Sequence, residues 1–174
     1  MSRGFVREDD QEEAPFIPPR APLPDGVGNH VTPRGMRLLL DERAQLEQER
    51  ATAQGSDHDR RMAQATIDGR LALLNERIAT ARPVEPGNTM PLEVRFGTTV
   101  TVHYHSGPQH GTERSFTIVG VDEANVAELR IAFTAPIARA LIGKRVGQRV
   151  NVLLGPTQQE LEVRYISWPQ AEQQ

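Results

Sequence analysis

The feature that most restricts the fold of this chain is a pair of helix-forming stretches separated by one short break. From Thr32 to about Ala53 nearly all residues are good helix formers, and Leu39, Leu46 and Ala53 recur every seven positions. The break reads Gln-Gly-Ser-Asp at 54–57, and a second apolar seam follows it with a step of about 3.5 residues. The seam consists of Ala63, Ile67, Leu71 or Arg70, Leu74, Ile78 and Ala81. Two helices of similar length joined by a tight loop predict an antiparallel hairpin, with arms about 30 Å long.

The residues at the predicted helix starts fit this hairpin. Thr32 is a favoured N-cap and Pro33 occupies the first helical position. Ser56 or Asp57 caps the second helix, where acidic residues in the first turn suit the helix dipole. Both apolar seams are narrow and the remaining positions are polar, so the hairpin is predicted to project as a finger.

Beyond the hairpin the periodicity changes from helical to alternating. A linker comes first, and its helix breakers are Pro83, Pro86, Gly87 and Pro91. Val100, Val102 and Tyr104 then alternate with polar residues, which predicts a half-buried strand. Further strands are predicted at 116–121, 129–133, 149–154 and 161–168. With one short helix at 137–142, the predicted fold class is α+β: a two-helix hairpin and a mostly antiparallel sheet domain.

The composition divides the chain into five predicted parts. They are an acidic, proline-rich arm (1–29), the hairpin (30–83), a linker (84–91), the β domain (92–168) and a short tail (169–174). The proline density and the acidic run at 8–13 favour disorder for the arm. The alternative is a docking arm, because a solubilising tail does not need apolar anchors. These anchors are Phe5, Val6, Phe16, Ile17 and Leu23.

Charge and composition exclude several classes of protein. The net charge of −3 argues against general nucleic-acid affinity, which depends on neutralising phosphates. The chain has no cysteine, which excludes disulfides and thiolate chemistry. No apolar run has the length needed to cross a bilayer, and the N-terminus lacks the apolar core of a signal peptide. A cytoplasmic protein with no membrane partner is expected.

Candidate chemical sites are few. His103 and His105 share one strand face, but the spacing places no carboxylate to complete a set of metal ligands, so no metal site is predicted there. Nucleotide-loop, nucleophile-elbow and metalloprotease motifs are absent from the sequence. Asp57 and Asp59 at the hairpin tip are candidates for holding a divalent cation if another macromolecule supplies the remaining ligands. The alternative role for these two acids is N-capping and solubility.

The stretch 131–147, read as IAFTAPIARALIGKRVG, links two strands through a short helix. Pro136 marks the helix start, Gly143 its end, and the basic turn Lys144-Arg145 leads to the next strand. A helix this short is not stable alone and requires a packing partner.

The chain resembles the bacterial transcript-cleavage and elongation factors GreA and GreB. RFGTTVTV, FTIVGVDEA and APIARALIGKRVG occur in the family's order and spacing, and VTPRGMRLLLDE at 31–42 resembles its first helix. The resemblance covers about residues 31–168, excludes the arm, and is strongest over 95–155. It implies an FKBP-like C-terminal domain that docks on the rim of the secondary channel of bacterial RNA polymerase, and a coiled-coil finger that enters this channel. The protein is then expected to be a monomeric transcription elongation factor rather than an enzyme, and to meet nucleic acid only through the elongation complex.

The resemblance also implies which residues act. It assigns partner binding to Thr134, Pro136, Ile137 and Arg139. Ala135 stands in place of the family's usual serine. Cleavage-competent members carry an acidic tip with a Glu-Asn-Ala element and help hold a catalytic Mg²⁺. Here the tip reads QGSDHDRR and each arm is at least a heptad shorter, which costs about 10 Å of reach. We therefore expect no cofactor of the chain's own, and expect the tip acids to fall short of the Mg²⁺ of the polymerase.

Two other functions are compatible with the sequence. An FKBP-like prolyl isomerase needs a deep aromatic-lined pocket, whereas aromatic residues make up only 5% of this chain. A generic coiled-coil adaptor would use the hairpin to bind some other protein.

Overall fold

The computed structural model describes residues 14–169, so the expectations for 1–13 and 170–174 lie outside the described residues. The hairpin consists of α1 (Pro33–Thr52) and α2 (Asp57–Thr80). Thr32 caps α1 by accepting a hydrogen bond from the Gly35 amide at 2.9 Å, and Ser56 caps α2. Leu39, Leu46, Ile67 and Leu74 are the buried members of the two seams, which confirms the predicted packing stripe.

The C-terminal domain is a five-stranded sheet in the order β5-β4-β3-β7-β6. Its strands are β3 (Thr99–Tyr104), β4 (Glu113–Val119), β5 (Arg130–Ala132), β6 (Arg149–Leu154) and β7 (Thr157–Ser167). The short helix α3 (Pro136–Leu141) packs against the core with Ala138 and Leu141 fully buried. The fold class is therefore α+β, with a two-helix hairpin and a mostly antiparallel sheet.

Three details of the sheet differ from the pattern in the sequence. β4 spans Glu113–Val119 rather than the predicted 116–121. β7 starts at Thr157, four residues before the predicted strand, because Gly155 adopts a φ of +64° and closes a tight turn that pairs Leu154 with Thr157. β4 and β5 are parallel, with Ile118 opposite Ile131. The strand alternation contains no information about this direction, which depends on the path of the connection between the two strands.

The base of the hairpin is closed by a small strand pair and meets the C-terminal domain through an aromatic group. β1 (His30–Val31) and β2 (Arg82–Pro83) pair in parallel. The His30 ring lies 5.7 Å from the ring centroids of both Phe96 and Phe133. Gly120 lies against this joint, because a Cβ there would come within 2.7 Å of the His30 carbonyl oxygen. The joint therefore requires close backbone approach as well as side-chain packing.

Residues 14–29 contain no helix or strand, yet they contact the hairpin and the C-terminal domain through Ile17 and Arg20. The predicted disorder of the arm falls in part on residues 1–13, outside the described region. Between residues 14 and 169 no helix is both long enough and apolar enough to cross a membrane.

Candidate partner-binding surface and hairpin tip

The turn between β5 and α3 is held by backbone hydrogen bonds. Phe133 donates its amide to the Val119 carbonyl at 2.9 Å, and Ala135 donates to Ala132 at 2.9 Å. Pro136 then begins the helix with its fixed φ. Ala135, the N-cap, has no side-chain acceptor, and no side-chain cap bond is present. The start of α3 therefore lacks a side-chain cap.

The four predicted partner-binding residues lie together on this turn and helix but differ in exposure. Pro136 and Arg139 are exposed, whereas Thr134 is half-buried. Ile137 is also half-buried and packs against the domain core. Arg139 has no ion-pair partner among residues 14–169, so its guanidinium is available to an acidic group of another molecule. Ile137 therefore contributes to the packing of the core as well as to the surface.

Exposed apolar residues extend this surface beyond the four predicted positions. Ile142 and Val146 are 40% and 58% exposed and flank the basic turn at 144–145. The turn is held to Val94, near the start of the β domain, by two backbone bonds, from Gly143 to Val94 and from Val94 to Lys144, both at 2.8 Å. The sequence alone does not show that these apolar side chains are exposed, because isoleucine and valine are equally common in a protein core.

At the hairpin tip both predicted acids already have partners. Ser56 and Asp59 form a capping box, in which the Asp59 carboxylate accepts from the Ser56 hydroxyl at 2.6 Å and from its amide at 3.3 Å. These bonds hold the pKa of Asp59 below its usual value, and the bond from the hydroxyl has the larger effect. Asp57 forms an ion pair with Arg60.

A cation at the tip would compete with these partners. Asp59 Oδ2 accepts both capping bonds, and Asp57 Oδ1 pairs with Arg60. No group of three or more potential metal ligands is present within residues 14–169. The tip also lies at the far end of α2 from the joint with the C-terminal domain, a separation of about 30 Å along the helices. Tip and docking residues are therefore separate sites.

The sheet places two carboxylates beside the histidines, although the residues at 14–169 form no group of three or more potential metal ligands. His105 Nε2 lies 2.6 Å from Glu162 Oε2 on β7, and His103 Nδ1 lies 3.8 Å from Glu113 on β4. Sequence spacing could not place these carboxylates, because they arrive through cross-strand pairing. Arg164 donates to Glu162 at 2.8 Å. This bond has the largest effect on the pKa of Glu162, and together with the bond from His105 it lowers that pKa to about 2. The cluster is a network of ion pairs.

Comparison with known proteins gives consistent results for both parts of the chain. Residues 90–167 match the family model described as transcription elongation factor, GreA/GreB, C-terminal. Transcription elongation factor GreA of Chloroflexus aggregans is 35% identical over 123 residues, covering 66% of this chain and 76% of that protein. GreA of a Caulobacter species is 33% identical over 111 residues, covering 64% and 69%.

Among solved structures, the crystal structure of GreA factor homolog 1 of Thermus thermophilus is 22% identical, with a TM-score of 0.36. The match covers 80% of this chain and 99% of the Thermus chain. The alignment with the Chloroflexus protein is longer than residues 90–167, so the similarity extends beyond the C-terminal domain. The chain belongs to the GreA/GreB family of transcription elongation factors.

Proposed function

We propose that this protein is a transcription elongation factor of the GreA/GreB type that binds bacterial RNA polymerase. The observation that carries the proposal is the similarity to proteins named transcription elongation factor GreA, which extends over more of the chain than its C-terminal domain. The chain would modulate the activity of the polymerase and catalyse no reaction itself. It would act as a monomer and meet nucleic acid only within the elongation complex.

The proposed binding mode assigns different roles to the two parts. The C-terminal domain docks on the rim of the secondary channel through Thr134, Pro136, Ile137 and Arg139, and the hairpin enters the channel. The exposed guanidinium of Arg139 supplies charge complementarity, which controls association rate and specificity more than total affinity. Exposed Pro136 and the neighbouring apolar side chains supply contact area.

The proposed role of the tip is steric and electrostatic rather than metal-assisted. The capping bonds of Asp59 and the ion pair of Asp57 compete with metal coordination. The arms are shorter than those of cleavage-competent members by about 10 Å. A catalytic group tolerates much less misplacement than this distance. A finger of this kind would regulate elongation by occupying the channel without supplying a carboxylate to Mg²⁺.

The test is binding to purified core polymerase, measured by biolayer interferometry. Arg139→Glu and Pro136→Gly change exposed side chains and are expected to weaken binding at least tenfold together. Ile137→Asp is a poorer probe, because it would place a charge against the core. Arg114→Glu is the matched charge reversal at an exposed position on β4. Absence of polymerase binding by the wild-type chain would overturn the function, and equal binding by all variants would overturn the docking surface.

The other functions are not favoured. A prolyl isomerase needs aromatic side chains around a pocket, but Tyr104 and Phe116 are buried in the core and Phe96 and Phe133 pack at the joint. Trp168 donates its indole N–H to the Thr89 carbonyl at 2.7 Å. A generic adaptor has no observation of its own in its favour, whereas the polymerase partner follows from the family.

A further inference from the structure

Arg20, in the proline-rich arm, makes contacts that connect three parts of the molecule. Its two terminal nitrogens donate to the carboxylate oxygens of Glu42 on α1, each at 3.0 Å. Its Nε donates to Asp122 of the C-terminal domain, also at 3.0 Å. Bidentate guanidinium–carboxylate pairs are among the stronger side-chain hydrogen bonds and have a fixed geometry. One arm residue therefore bridges the hairpin and the C-terminal domain.

Asp122 receives a second cation from the other helix. The Arg77 guanidinium of α2 lies 3.3 Å from Asp122, and it also donates to the backbone carbonyl of Ala21 in the arm at 2.6 Å. The side chains of Arg20, Arg77 and Asp122 are 18%, 13% and 10% exposed. These ion pairs are largely shielded from water, where electrostatic interactions are less screened than on an open surface.

The arm also packs directly on the backbone of α2. Gly69 lies within that helix, and a Cβ there would come within 2.6 Å of the Ile17 side chain. Glycine is unfavourable in a helix interior, and here it makes room for Ile17. The neighbouring prolines at 18, 19 and 22 reduce the conformational entropy that the arm loses when it is held in place.

The hairpin base has a separate attachment at the start of α1. Thr32 donates its hydroxyl to the Glu123 carboxylate, and Arg34 lies 3.6 Å from the same group. This attachment and the joint at His30 both lie at the base of the hairpin. The attachment at Asp122 adds contacts to Glu42 on α1 through Arg20 and to α2 through Arg77, which restricts rotation of the hairpin about its base.

We propose that residues 17–21 form a clasp that fixes the orientation of the hairpin relative to the C-terminal domain, with Arg20 as its positioning residue. The clasp would determine where the tip lies whenever the C-terminal domain is bound to a partner. Residues 17–21 lie outside residues 31–168, over which the chain resembles the family. The proposal goes beyond the proposed function and does not require it, because the orientation is measured on the free protein.

The experiment is a double electron–electron resonance measurement between two spin labels on the free protein. The chain has no cysteine, so Gln54→Cys at the tip and Asn151→Cys on β6 give two unique labelling sites at exposed positions. We expect one narrow distance distribution for the labelled wild-type chain. Arg20→Ala, and separately deletion of residues 1–23, are expected to replace it with a broad one.

The matched control is Arg50→Ala. Arg50 forms an exposed ion pair with Asp68 between the two helices, so its loss removes the same type of interaction without affecting the clasp. Circular dichroism should show the same helix content in all variants, which separates orientation from unfolding. Arg20→Lys should give an intermediate width, because one ammonium cannot reproduce the bidentate pair and the bond to Asp122 together.

Three results would overturn the proposal. The first is a broad distribution in the wild-type chain, and the second is an unchanged distribution in both Arg20→Ala and the deletion. The third is broadening in the deletion alone, which would remove Arg20 from the positioning role. Polymerase binding is not part of this readout, so failure of the clasp and failure of the proposed function are distinguishable.

Discussion

Thr32 and Glu123, 91 residues apart in the chain, are joined by a hydrogen bond from the Thr32 hydroxyl to a carboxylate whose residue is 5% exposed. The same hydroxyl oxygen accepts from the Gly35 amide at 2.9 Å and so caps α1. Arg130 completes the environment of the carboxylate at 3.1 Å. One side chain therefore starts the hairpin and attaches it to the C-terminal domain.

Replacing this hydroxyl should reduce stability. We expect Thr32→Val to lower the free energy of unfolding by about 2 kcal/mol, since it removes an N-cap and one partner of a buried carboxylate. Thr32→Ser keeps both bonds and should remain within about 0.5 kcal/mol of the wild-type chain. Urea denaturation at neutral pH measures both values. A larger loss in Thr32→Ser than in Thr32→Val would assign the effect to the methyl group, which valine retains and serine lacks.

The sequence predicts features that depend on neighbouring residues. The start of α1 after Thr32 and the seam containing Ile67 and Leu74 follow from capping preferences and helical periodicity. β6 has the predicted bounds 149–154, and β3 contains the predicted alternating residues Val100, Val102 and Tyr104, because alternation is a local pattern. In the candidate docking segment, the predicted helix at 137–142 lies one residue earlier in the structure.

Features that depend on distant residues could not be predicted in this way. Asp122 and Glu123 are two letters of the motif FTIVGVDEA, and nothing in their spacing shows that one pairs with Arg20 and the other with Thr32. The carboxylate beside His105 comes from β7, more than 50 residues away. Such pairs depend on sheet register and on the packing of the hairpin, which a single sequence does not reveal.

Gly69 provides a test of the contact between the arm and α2. Alanine is better than glycine in a helix interior by up to about 1 kcal/mol, but its Cβ would press on Ile17. We expect Gly69→Ala to stabilise a chain that lacks residues 1–23 by nearly this full amount, and to stabilise the full-length chain less. Thermal unfolding of the four proteins gives the coupling directly. The same gain in both backgrounds would show that the arm does not rest on this helix.

Glu162 should make stability depend on acid pH. Its carboxylate is bonded by Arg164 and His105, and its pKa falls from 4.5 to about 2 in the folded chain. The unfolded chain takes up this proton at a higher pH, so the stabilisation is complete above about 4.5 and is lost as the pH falls towards 2. We expect Glu162→Gln to be less stable than the wild-type chain at pH 6.

The difference between Glu162→Gln and the wild-type chain should shrink steadily between pH 4.5 and 2. Urea midpoints at intervals of pH measure it. Glu160→Gln is a suitable control, because Glu160 lies on the same strand with a single ion pair to Arg149 at 3.5 Å. A difference for Glu162→Gln that stays constant down to pH 2 would contradict the lowered pKa.

The tip acids should have little effect on the cleavage of a stalled transcript. Asp59 caps α2 and Asp57 pairs with Arg60, so a metal ion would compete with a bound partner at each carboxylate. We expect the wild-type chain and Asp57→Asn/Asp59→Asn to leave the same transcript lengths in stalled elongation complexes with Mg²⁺. Asparagine is chosen over alanine because it can still accept the capping bonds and keeps the start of α2 intact.

Ser56→Ala, which should cost about 1 kcal/mol of stability, controls for damage to the cap. Shortening of the transcript by the wild-type chain and by Ser56→Ala, but not by the double variant, would show that the tip carboxylates reach the Mg²⁺ of the polymerase.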